Sequence, residues 1–149
     1  MPENPAWRIT LPHAAAAVPL ARALVRTALA DADAPADRDT AELLTAELVA
    51  NAVEHTPACD PIELVVELLA NGCQVEVHDG DPQPIGELSA GPDDAHPDPD
   101  PWQEHGRGLL LVRTLSSTCG HRRTPRGKAV WFTLPSRRLR PADVPTSRA

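Results

Sequence analysis

The chain has 149 residues, a net charge of -7 at pH 7 and a pI near 5.3. That length suits one domain with one core, burying roughly two-thirds of its unfolded surface without disulfides. An acidic chain is a poor fit to non-specific nucleic-acid binding, where cationic contacts to phosphates supply most of the affinity. It is an equally poor fit to an anionic membrane surface. Neither nucleic acid nor membrane is therefore expected as a partner. No basic region followed by an apolar run opens the chain, and no apolar stretch could span a bilayer. A soluble cytoplasmic protein is expected. Aromatics are 3%, so the core must be built from Leu, Val and Ala. Cys59, Cys73 and Cys119 are odd in number and far apart, which reads as idle thiols in a reducing compartment. The histidines show no paired-ligand spacing. Thirteen of the 14 basic residues are Arg, and the abundance of Ala and Pro reads as a high-GC bacterial coding bias.

In chain order, Trp7–Leu11 alternates like a short strand. Ala14 to Ala30 reads as a helix with Val18, Ala21, Val25 and Leu29 on one face. Pro35 breaks it, and Asp37 can cap a second helix that runs to about His55, ahead of Thr56-Pro57. Ile62–Leu69 and Cys73–His78 follow as strands, with Asn71-Gly72 as a hairpin signal between them. From Gly80 to Glu104 there are six prolines and seven acidic residues. Such a stretch cannot bury enough surface to form a regular element, and a lid over about 80–105 is expected. His105-Gly-Arg-Gly108 then opens an apolar helical run, Leu109–Leu115. Strands at Thr118–Arg123 and Lys128–Leu134 close the domain at about residue 135, and 136–149 reads as a flexible basic tail. Strands joined by hairpins predict an α+β two-layer sandwich, a mainly antiparallel sheet covered by helices on one face.

Three sequence features carry chemistry. Glu47 and Asn51 are four apart, so they share one face of the second helix. Leu43, Leu44, Leu48, Val49, Ala52 and Val53 surround them, and burying an acid and an amide there is costly without partners. The pair either marks the solvent stripe of an amphipathic helix or supplies oxygens to Mg²⁺ and a base to a hydroxyl. Asp79 ends a strand; it opens a turn before Gly80 or accepts from an exocyclic amine. In His105-Gly106-Arg107-Gly108, two glycines allow close approach to a ligand, and free amides at a helix start attract phosphate. Arg107 is either solvated or a phosphate partner.

Taken together, the order and spacing of these features resemble the Bergerat-fold (GHKL-type) ATPases, the superfamily of gyrase, histidine kinases and mismatch-repair ATPases. Glu47-x-x-x-Asn51 is similar to the N box, Asp79 to the first glycine-box aspartate, and His105-Gly-Arg-Gly-Leu109 to the second glycine box. Gly127-Lys-Ala-Val-Trp-Phe-Thr133 is similar to the closing strand. The resemblance covers about Trp7 to Leu134. Asn-Ala-Val-Glu-His and Gly-Arg-Gly-Leu-x-Leu-Val look most like the bacterial anti-sigma-factor serine/threonine kinases and their actinobacterial relatives.

The resemblance implies a single ATP-binding domain over 1–135 with ATP and Mg²⁺ as cofactors. Asn51 would coordinate Mg²⁺ and Glu47 would be the general base. Asp79 would bind the adenine amine, and Gly106, Arg107, Gly108 and Leu109 would contact the phosphates. Thr133, on the closing strand, is carried over as a further cofactor-binding position. The implied function is transcriptional regulation, by phosphorylating or sequestering a protein partner. That partner would be a sigma factor or an anti-sigma-factor antagonist, and a homodimer is also implied. A non-catalytic binding module is the alternative. One departure bears on the choice: Asp81 stands where the first glycine box has its glycine, which is expected to weaken ATP affinity or alter lid closure.

Overall fold

The computed structural model describes residues 5–30, 36–55, 60–80 and 104–136, and of 104–109 only the backbone. Eight elements follow one another: β1 (Ala6–Leu11), α1 (Ala17–Ala30), α2 (Arg38–His55), β2 (Ile62–Leu69), β3 (Gly72–Asp79), α3 (Glu104–Leu115), β4 (Thr118–Arg123) and β5 (Lys128–Pro135). The strands form one antiparallel sheet in the order β1-β2-β3-β5-β4. The expected α+β architecture is the one observed.

Alternation in the strands decides which face the helices cover. Ile62, Leu64 and Val66 on β2, Cys73, Val75 and Val77 on β3, and Val130, Phe132 and Leu134 on β5 are all buried. Register places Val75 opposite Phe132 and Val77 opposite Val130, so these residues share one face. The opposite face carries Arg8, Glu63, Gln74, Glu76, His78 and Arg122, a polar set that no helix needs to cover.

α1 packs on β1 and β2, while α2 packs on α1, α3, β2 and β3. Enclosure from several sides explains why α2 buries Ala41, Leu44, Leu48, Val49 and Ala52 without a clean polar stripe. Its N-terminus is capped as expected, because Asp37 Oδ1 accepts from the Asp39 and Thr40 amides at 3.1 and 3.4 Å. α1 begins three residues later than Ala14, after a turn in which the Ala17 amide donates to the Ala14 carbonyl. Pro19 sits in its first turn, where a missing N–H costs nothing.

Two glycines permit close backbone approaches. Gly72 has a φ of 155°, and a Cβ there would collide with the Leu134 carbonyl. At Gly127 a Cβ would collide with the Asp79 carbonyl and the Gly80 backbone, so only glycine lets β5 start against the end of β3.

Two further expected boundaries move. Helix α3 starts at Glu104, so Gly106 and Gly108 lie inside it instead of ahead of it. Two helical glycines cost only about 1 kcal/mol each, too little to hold back a helix that has tertiary contacts. Ser136 belongs to the folded body and not to the tail: it is buried, and its amide donates to the Asn71 carbonyl at 2.8 Å. Of the lid expected over about 80–105, residues 81–103 lie outside the described residues and Glu104 and His105 fall in α3; the tail from 137 lies outside them as well. No helix among the described residues is long and apolar enough to cross a membrane. Cys73 and Cys119 are free thiols, and burial pushes Cys73 up to about 11. Cys59 is outside the described residues.

Candidate functional site

α2 supplies the first candidate pair. Asn51 is 5% exposed, so it is not part of a solvent stripe. The neighbouring Glu47 is half-buried. The Asn51 Nδ2 donates to the Glu47 backbone carbonyl at 3.0 Å, a bond back to the preceding turn. That bond fixes the amide, and Oδ1 accepts no hydrogen bond among the described residues. A half-used amide in a helix of Leu, Val and Ala neighbours is poised to accept a further ligand.

Asp79 sits at the end of β3 on the helix-covered face, in register with Lys128 at the start of β5. Lys128 Nζ donates to Asp79 Oδ1 at 3.1 Å, and each side chain is 4% exposed. The third element, α3, packs against α2. Its backbone is helical through Gly106, Arg107, Gly108 and Leu109, whose side chains are outside the description. α2 thus touches both the strand carrying Asp79 and the helix carrying the glycines. Thr133 is different. It pairs with Gln74 and Thr118 on the opposite face of the sheet, and its hydroxyl lies 2.7 Å from the Thr118 hydroxyl. Alternation along β5 separates it from Asp79, which shares a face with Lys128, Val130 and Phe132.

Three charged groups escape a reading of the sequence alone. Glu42 takes a bidentate pair from Arg26, Nε to Oε2 at 3.0 Å and Nη2 to Oε1 at 2.9 Å, clamping α1 to α2. Arg22 and Arg26, four apart on α1, are the available signal for a carboxylate opposite. On the uncovered face, Glu76 accepts from both Arg122 Nη atoms at 3.0 Å and from Gln74 at 2.6 Å, with His78 at 2.9 Å. Lys128 is visible as a residue, but its partner depends on strand register.

The Arg26 hydrogen bonds hold Glu42 below the usual carboxylate range, against a smaller opposing effect of burial. Burial is the largest influence on Glu76 and raises it, yet Arg122 and His78 together bring it below its ordinary value. Both folded values are depressed, so both carboxylates stabilise the fold above the ordinary glutamate pKa of about 4.3, and that stability is lost as pH falls through the lower folded values. The thermal midpoint is expected to hold from pH 7 to 5 and to drop below about 4.3, and Glu42→Gln should flatten the drop. A midpoint that falls equally steeply in the variant would assign the drop elsewhere.

At the end of the sheet beside Gly80, a hollow of about 890 Å³ is lined by Asp60, His78, Asp79, Arg122, Arg123 and Arg126 among others. Glu47 and Asn51 do not line it; of the described candidate side chains on α2 and β3, Asp79 alone does.

Residues 11–134 match the family described as the histidine kinase-like ATPase domain. The chain belongs to that family. No curated protein matches. Among solved structures, the chain is similar to the RsbU and RsbW domains of Rv1364c from Mycobacterium tuberculosis, with a TM-score of 0.62 and 24% identity. The match covers 89% of this chain and 32% of that one, so the chain spans about a third of its neighbour's length. This likeness is one of fold.

Within this histidine kinase-like ATPase domain, no cluster of three or more His, Cys, Asp or Glu among the described residues could hold a metal. A metal held by one amide oxygen is a different case. Mg²⁺ takes oxygen ligands, keeps several waters and shares phosphate oxygens with its substrate. Asn51 Oδ1 fits that requirement.

Proposed function

We propose that the chain binds Mg-ATP and transfers phosphate to a serine or threonine of a protein partner in sigma-factor control. The observation that carries the reading is Asn51: buried, anchored through Nδ2 to the Glu47 carbonyl, with Oδ1 accepting no hydrogen bond among the described residues. Family membership supports ATP as the ligand. The RsbW domain named in the neighbouring structure supports the regulatory setting.

In this reading, Asn51 Oδ1 holds the metal while Glu47, one turn away, accepts the proton of the attacking hydroxyl. Asp79 accepts from the C6 amine of adenine. The first amides of α3, including those of Gly106 and Arg107, face the phosphates, with Gly108 and Leu109 following. ATP supplies the transferable phosphoryl group, and Mg²⁺ neutralises its charge. The partners are a sigma factor and an antagonist protein, in the cytoplasm, with the chain acting as a homodimer.

The test is a calorimetric titration with ATP, with and without Mg²⁺, beside Asn51→Ala. Metal-dependent binding is expected in the parent and absent in the variant. Phosphotransfer to an antagonist protein should then vanish in Glu47→Ala while ATP binding persists. Absence of binding at millimolar ATP would sink the kinase reading. Asp81 favours one second reading, a module that sequesters its partner without phosphotransfer. Metal-dependent binding with no phosphotransfer would select it.

A further inference from the structure

Lys128 is the only lysine in a chain with 13 arginines, and it is buried. The other 13 of the 14 Lys and Arg side chains are guanidinium groups; this one is a compact ammonium with three rotatable donors. Its Nζ lies 3.1 Å from Asp79 Oδ1 with both side chains 4% exposed. The pair is built from the backbone outward. Register sets the two residues opposite each other, and the missing Cβ of Gly127 lets the strands close at that point.

A dry ion pair is a weak source of stability, since well-packed apolar residues often serve as well or better. What it does provide is an acceptor and a donor fixed side by side. The Watson–Crick edge of adenine presents the complement, the C6 amine as donor beside N1 as acceptor. A carboxylate can accept several hydrogen bonds and an ammonium can donate three, so meeting the base does not require the pair to break.

We propose that Lys128 is the second base-reading residue: Asp79 accepts from the C6 amine and the Lys128 ammonium donates to N1. This rests on the reading of Asp79 as the adenine contact given above. A 6-oxo purine presents the reverse order, a carbonyl oxygen beside N1–H. In the same pose the oxygen faces the carboxylate and the N1 hydrogen faces the ammonium. A site built to hydrogen-bond one pattern rejects its reverse, because its buried polar groups are left unpaired.

The test uses the unmodified protein with Mg²⁺, titrated with ATP, with 1-deaza-ATP, in which N1 is a C–H, and with ITP. 1-Deaza-ATP is expected to bind about tenfold or more weakly than ATP, the usual effect of losing a hydrogen bond to a charged group. ITP should bind more weakly still. In Lys128→Met, with folding checked by circular dichroism, the ATP to 1-deaza-ATP ratio should fall to about one. The comparison of analogues on the unmodified protein stands even if the variant does not fold. Equal affinity for ATP and 1-deaza-ATP would overturn the inference and leave the adenine reading intact, with Lys128 a counter-ion only. A ratio that survives in Lys128→Met would overturn it as well. No binding of any of the three would remove the adenine reading and the inference together.

Discussion

Phe132→Ala is expected to cost about 3–5 kcal/mol of folding stability. Phe132 is the only phenylalanine in the chain and is 0% exposed. It lies on β5, flanked by Val75 and Cys119 across the two neighbouring strands. The rest of the buried core is Leu, Val, Ile and Ala with Cys73. Such side chains are held at crystal-like density and cannot flow into a ring-sized space. The loss therefore combines the transfer free energy of the ring with the cavity left behind. A domain of this kind has about 5–15 kcal/mol in total, so the variant should sit near the edge of folding. Urea unfolding at equilibrium would measure it, with Phe132→Leu as a milder control. A loss under about 1 kcal/mol would mean that the strands close up and that the core is softer than its burial indicates.

Asp79→Ala should be nearly as damaging, for a different reason. It deprives a buried ammonium of the carboxylate 3.1 Å away, and removing one member of a buried pair commonly costs about 3–5 kcal/mol. The double change Asp79→Ala/Lys128→Met removes both charges and should recover much of that loss, because an apolar pair suits the same dry position. The coupling free energy from the four proteins is the measured quantity. If the double variant is as unstable as the single, the ion pair is not the cause, and the backbone at the end of β3 is. On the proposed reading of the site, the same single variant should also lose affinity for ATP, because the carboxylate assigned to the adenine amine is gone.

Most of the fold can be read from the residues. Period-two alternation in Ile62–Leu69 and the Asn71-Gly72 signal give the β2–β3 hairpin, and Asp37 marks the start of α2. These are local effects, fixed by neighbours in sequence. Asn51 also stands out locally, as a polar group among apolar ones, and Asp79 as the acid that ends a strand before Gly80. What cannot be read is contact between distant segments. The Arg26–Glu42 clamp needs the packing of α1 on α2, and the Asp79–Lys128 pair needs the register of β3 on β5. Thr133 shows the same limit from the other side. Its place in the closing strand is legible, but a shift of one residue exchanges the two faces of a sheet, and it falls on the face away from Asp79. The start of α3 is illegible because Gly106 and Gly108 read as a break, whereas packing against α2 carries the helix through them.

The sheet is open, with β1 and β4 at its two ends. Among the described residues neither has a strand beyond it, so each presents a row of backbone amides and carbonyls, a template on which another extended chain can add. Both strands are only six residues long. β4 ends in His121-Arg122-Arg123 and contains a glycine, while β1 carries Arg8 at its middle. Two copies brought together at β4 would gather four arginines, two from each, along one seam. The protein thereby discourages self-templated growth at its borders by charge and brevity, and apolar replacements at Arg122 and Arg123 would turn that border into a starting point for aggregation.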